Sequence, residues 1–136
     1  MKSLLLLTPL FAITLLAYDL TIKVDGFKNN QGQLSVGLYI DATTFPNQDE
    51  AYLGQRVTIS QKKAMALFKD LPSKTYAVAL YHDSNANDEL DKNFLGIPNE
   101  AYGFSNNAKG SFGAPSFDQA KFTLMRNTTM HITLDD

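Results

Sequence analysis

Between residues 83 and 91 the chain reads Asp-Ser-Asn-Ala-Asn-Asp-Glu-Leu-Asp, with Asp83, Asn85, Asn87 and Asp91 at relative positions 1, 3, 5 and 9. A tight loop with this alternation turns carboxylates and amide carbonyls toward one point. Calcium is a hard cation that takes six to eight oxygens at about 2.3–2.6 Å, so these residue types suit it. The pattern predicts four side-chain ligands, with the Glu89 main-chain carbonyl filling the seventh position. The glutamate that closes an EF-hand loop would fall at Phe94. Glu100, brought back by the Gly96-Ile97-Pro98 turn, is the expected replacement, with Asn93 second. Two carboxylates plus neutral oxygens predict a weak site, with Kd on the order of 10⁻⁴ M. At ~1 mM calcium such a site adds about 1.4 kcal/mol of stability, so the ion would order the loop rather than make the fold. The competing reading is a solvated connection rich in turn formers.

Other chemistry is sparse. The candidate acid–base pairs near this loop are Glu100 with His82 and Glu100 with Asp91. Successive strand side chains point to opposite faces, so His82 and Asp83 are not expected to converge. A hydrogen-bonded His82 that positions the loop is the favoured reading, and His131 is expected at the surface. Nucleophilic catalysis has no Cys and no G-x-S-x-G elbow to build on, and Ser105 lacks a strand-to-helix setting. A non-enzymatic module is therefore expected, the alternative being a small hydrolase or lyase that uses Glu100 and His82. Tyr102, Phe104, Asn106, Asn107 and Phe112 offer aromatic platforms and amides for a sugar, peptide or protein partner. Equally, those aromatics could fold back over an open sandwich edge.

Met1-Lys2-Ser3 is a short positive start, Leu4 to Leu16 is almost wholly apolar, and Ala17 precedes the polar pair Tyr18-Asp19. This predicts a signal peptide over 1–17, too short for a membrane span, and a soluble periplasmic or secreted domain over 18–136. Removing residues 1–17 takes one Lys and no acid, leaving eleven basic and fourteen acidic residues, a net charge of about −3. No basic run is present, which argues against nucleic acid or an anionic membrane as partner. Cys is absent, so the fold must hold without disulfides and thiolate metal sites are excluded. A cation-stapled loop is a natural substitute in that compartment, and the domain is expected to be monomeric or weakly associating.

The hydrophobic period is two. Leu20, Ile22 and Val24 predict a first strand ending near Phe27, and Leu34, Val36, Leu38 and Ile40 a second. Lys28 to Gly32 between them reads as a hairpin connection. Gly37 marks a bulge or a close approach. Asp41 to Arg56 reads as irregular, with one helical turn around 47–53. Val57–Ile59 and Met65–Phe68 predict short strands about a turn at 60–63. Thr75–His82, apolar on both faces, predicts a central strand. Asn93 to Phe117 reads as one long loop, the length at which loops are often functional. Phe122–Leu124 and Met130–Leu134 complete an all-β, about seven-stranded antiparallel β-sandwich, immunoglobulin-like or prealbumin-like.

The run from Leu71 to Phe117 resembles a bacterial family of exported proteins known only as a domain of unknown function. Its hallmark is L-P-x-G-x-Y-A-V-x-x-x-H-D-x-N-x-N-G-x-x-D-x-N-x-x-G-x-P-x-E-G-Y-G-F-S-N-N, ending in P-S-F. This chain carries Leu71, Pro72, Tyr76, Ala77, Val78, His82, Asp83, Asn85, Asn87, Asp91, Asn93, Gly96, Pro98 and Glu100, then Tyr102 to Asn107 and Pro115-Ser116-Phe117. It departs from the pattern at Lys74, Asp88 and Ala101, each in place of a Gly. Asp88 matters most, because the sixth loop position takes a left-handed conformation, which Asp tolerates better than most non-Gly residues. The resemblance implies no activity. A looser likeness, resting on the L-P-x-x-x-Y-x-V turn and the loop, is to the prealbumin-like sandwiches of surface-protein repeats, where similar loops hold calcium structurally.

Overall fold

The computed structural model describes residues 16–135 together with Ser3, Leu7 and Pro9, so the expected signal peptide lies largely outside the described residues. Its strands are β1 (Ala17–Asp25), β2 (Gln33–Tyr39), β3 (Leu53–Val57), β4 (Ala64–Pro72), β5 (Thr75–Asp83), β6 (Tyr102–Phe104), β7 (Phe122–Thr123) and β8 (Thr128–Thr133). They form two stacked sheets, one ordered β4-β1-β8 and the other β3-β2-β5-β6, with β7 also paired to β5. The expected all-β sandwich is the architecture found, with eight strands among the described residues rather than seven. One pairing, β1 with β8, is parallel.

Period-two patterning decides which faces meet. Leu20, Ile22 and Val24 of β1 and Ala64, Ala66 and Phe68 of β4 face Leu34, Val36 and Leu38 of β2 and Tyr76, Val78 and Leu80 of β5. Each fully buried Leu or Ile there contributes about 1.5–3 kcal/mol. β5 is buried on both faces, as its sequence predicts, because a second apolar layer covers its outer side. There Ala77 packs with Tyr39, Phe45, Phe104 and Ala120. Burial pushes the Tyr39 hydroxyl up to about 12, and that hydroxyl donates to the carbonyls of Pro46 and Asn47.

Several connections differ from the sequence reading. Lys28 to Gly32 is no hairpin, since β1 and β2 lie in different sheets. Asn and Gly suit any tight connection, and the apolar faces of the two strands satisfy each other better across the core than side by side. β3 begins at Leu53, earlier than the expected Val57–Ile59, because it is an edge strand whose mostly polar residues conceal the alternation. Ile59 is buried beyond its end. Gly37 sits in an unbroken register, so it marks no bulge; a Cβ there would meet the Tyr39 ring at 2.9 Å. Asn93 to Phe117 is not one featureless loop. It contains β6, a 3₁₀ turn at Ser105–Asn107 and the start of a one-turn helix, α1 (Phe117–Ala120). The S-x-x-Q run from Ser116 to Gln119 is a capping box, with both reciprocal bonds formed, and it is the signal that foretells α1.

Other expectations hold. A 3₁₀ turn occupies Gln48–Glu50. Ser60 and Lys63 close a tight turn through Gln61 and Lys62, both at positive φ. His131 is exposed in β8.

Candidate functional site

The 83–91 loop leaves the end of β5, where Asp83 is fully buried and pairs in register with Gln33. The Asp83 carboxylate accepts from Asn87 N at 3.1 Å, Asp88 N at 2.8 Å and Gln33 Nε2 at 3.0 Å. It therefore folds positions 5 and 6 of the loop back over position 1. Asp88, at position six, has φ 64°, the left-handed conformation expected of it, and Ala86 has φ 53°.

Neighbouring elements hold this turn from outside. Gly32 packs so close to the root of the loop that a Cβ on it would lie 2.0 Å from the Asp83 carbonyl oxygen, and its φ is +69°. His82 faces the other side of β5, where Nε2 donates to the Gln31 carbonyl at 2.6 Å and the ring packs edge-on to Phe27. The imidazole thus secures the connection that carries Gly32. At position six, Asp88 Oδ1 accepts from Gln33 Nε2 at 2.9 Å and pairs with Arg56 Nε at 2.8 Å, while the Gln48 amide donates to the Asp88 carbonyl. Both members of that ion pair are half exposed, so the pair adds little stability.

Asp91 is the second centre. Asn85 Nδ2 donates to one of its oxygens at 2.7 Å and Asn87 Nδ2 to the other at 2.8 Å. These amides, Asn87 first, hold its carboxyl below the usual aspartate range. The two amide oxygens accept from Asn87 N and Glu89 N instead. Asp83, Asn85, Asn87 and Asp91 are thus brought together, with amide nitrogens where a cation would put amide oxygens. Because an amide's oxygen and nitrogen are nearly isosteric, a half-turn of each side chain exchanges the two arrangements. Among the described residues no three His, Asp or Glu side chains gather to hold a metal. A cation here would rest on two carboxylates and neutral oxygens.

Glu100 arrives where the sequence puts it. Asn93 Oδ1 accepts from Leu95 N and Ile97 N, Gly96 takes φ +79°, and Lys92 bridges to Pro98. Asn93 therefore shapes its own turn. The Glu100 side chain is 7% exposed. Its Oε2 accepts from Ser84 N at 2.7 Å and Ser84 Oγ at 3.1 Å, and its Oε1 from Asp91 N at 2.9 Å. One carboxylate thereby clamps both ends of the loop. The His82 ring lies on the opposite face of β5 and contacts Gln31 and Phe27 instead.

The expected partner surface divides. Tyr102 and Phe104 stand together on the outer face of β6, ring centroids 5.9 Å apart. Asn106 donates to the carbonyls of Gln119 and Lys121, and Asn107 is bonded to His131 and Thr133 of β8. Those two amides tie the segment to its neighbours. Phe112 is fully exposed. Ser105 is fully buried; its Oγ accepts from Val78 N at 2.9 Å and donates to the Ala120 carbonyl at 2.5 Å.

Gln33, Gln48 and Arg56 join the site only in the folded chain. Their partners lie 55, 40 and 32 positions away, and no local pattern marks them. No helix among the described residues is long and apolar enough to cross a membrane. No curated protein and no solved structure matches the chain. Residues 22–133 match the model of one family, and the chain therefore belongs to DUF2141, a family of uncharacterised proteins conserved in bacteria.

Proposed function

We propose that this protein is an exported, non-enzymatic β-sandwich module whose 83–91 loop binds calcium weakly. In this reading Asp83, Asn85, Asn87 and Asp91 supply side-chain oxygens and Glu89 its main-chain carbonyl, while Glu100 braces the ends of the loop. The observation that carries it is the convergence of both Asn amides on Asp91, one step from the turn that Asp83 folds. The bound ion would take over the charge neutralisation that the amide groups now supply. That exchange sacrifices the bonds from Asn87 N and Glu89 N, at about 1 kcal/mol each, which keeps affinity low. The likeness to prealbumin-like surface repeats and the disulfide-free, leader-like sequence support the same reading.

The test is a thermal melt with added calcium. At 1 mM the midpoint should rise by roughly 5 °C, equivalent to about 1.4 kcal/mol, and chelator should reverse it. An unchanged midpoint at 10 mM calcium would defeat the proposal.

A further inference from the structure

A broad groove of about 1080 Å³ runs over the outer face of the five-stranded sheet. That is just above the roughly 300–1,000 Å³ typical of small-molecule sites. Strand register builds its floor from two rows that cross β3, β2, β5 and β6. In one row Gly54 pairs with Gly37, Gly37 with Ala79, and Ala79 with Phe104. In the next, Arg56 pairs with Ser35, Ser35 with Tyr81, and Tyr81 with Tyr102. All eight residues line the groove. Gly54 and Ala79, with the Tyr39 ring against Gly37 between them, therefore lead to the Phe104 ring beside a row of hydrogen-bonding groups.

The chemistry of the rows selects a ligand class. Arg56 and Lys92 face Asp49, Asp88 and Glu89 along the walls, and Arg56 is already paired with Asp88, so no net positive charge awaits an anion. The β2 and β5 main chains on the floor are paired on both sides, which leaves them no free ladder for an added strand. A second observation points to a polar guest. Tyr81 is 6% exposed, and its buried hydroxyl has no well-formed hydrogen bond, with Ser35 and Gln48 the polar groups beside it. A donor of this kind beside Ser35 and Arg56 suits hydroxyl groups, and the Tyr102–Phe104 pair suits the apolar face of a sugar ring.

We propose that this groove binds a neutral carbohydrate, its ring laid along Gly54 and Ala79 toward Phe104 and its hydroxyls turned to the Arg56–Ser35–Tyr81 row. The groove borders the 83–91 loop, whose Asp88 and Glu89 stand in its wall, and the proposal holds whether or not that loop takes an ion.

The experiment screens the full domain on an array of neutral hexose and N-acetylhexosamine oligosaccharides, beside a peptide array, and then titrates the strongest sugar by calorimetry in calcium and in chelator. Running both conditions reads a failed groove and a failed metal loop separately. Gly54→Phe is the decisive variant, because a Cβ there meets only the Val36 carbonyl, at 3.6 Å, and φ is ordinary for a strand. It should keep the wild-type circular dichroism and melting midpoint and weaken the sugar by about tenfold or more. Tyr81→Phe should weaken it about tenfold without lowering the midpoint. Binding of peptides instead of sugars, no sugar bound above background, or an unchanged Kd in both variants overturns the proposal.

Discussion

Neutralising the clamp tests the architecture of the loop. In Glu100→Gln one carboxylate oxygen becomes an NH₂ group, in a side chain that is 7% exposed and accepts three hydrogen bonds. If the remaining oxygen keeps both Ser84 donors, the new NH₂ faces Asp91 N, and two donors oppose each other. A buried donor left without an acceptor costs about 1–3 kcal/mol, and the surviving bonds lose the strength that a charged acceptor gave them. The reverse orientation strands two donors and is worse. We expect a loss of about 2–4 kcal/mol, read by urea denaturation at pH 7 in chelator, with the slope unchanged. The same variant separates a binding module from a hydrolase. A catalytic carboxylate held for chemistry commonly costs stability, and replacing it leaves stability the same or higher. A change below about 0.5 kcal/mol would refute the clamp and revive the acid–base reading of Glu100.

Three further outcomes follow from the loop geometry. Ala86→Gly relieves a left-handed alanine at an exposed position and should stabilise the domain by about 0.5–1 kcal/mol in the same assay, less if the loop relaxes. Gly32→Ala meets the Asp83 carbonyl and an unfavourable φ together, and should lower the melting midpoint more than alanine at the open Gly54. Asp91 is held below the ordinary aspartate value of about 3.9. Its contribution is thus present above that value and lost as pH falls through the lower, folded one. Carboxyl NMR should show Asp91 titrating below the ordinary value in the native protein and closer to it in Asn87→Ala.

Much of the fold was legible because burial writes itself into alternation. The Leu20-Ile22-Val24 and Leu34-Val36-Leu38 runs locate β1 and β2, and the doubly apolar Thr75–His82 run locates the centre of a sheet. Pairing was not legible. Nothing in Lys28 to Gly32 distinguishes a hairpin from a crossing between sheets, and nothing near Thr128 reveals a parallel partner over a hundred residues upstream. The turn of the loop could be read from the spacing of its Asp and Asn residues, and the left-handed Asp88 from the Gly that the resembling family carries there. Its supports could not, since Gln33, Gln48 and Arg56 reach it only once the sheet exists. The groove is hidden for the same reason, because Gly54, Gly37 and Ala79 become one row only through register.

The most direct measurement is a calorimetric titration of calcium into the wild-type domain and into Asn87→Ala and Asp91→Asn, each first shown to be folded. The predicted result is a single saturable site in the wild type, with Kd on the order of 10⁻⁴ M, and no resolvable heat in either variant. A wild type that gives no saturable heat at millimolar calcium, or variants that bind as the wild type does, would contradict it.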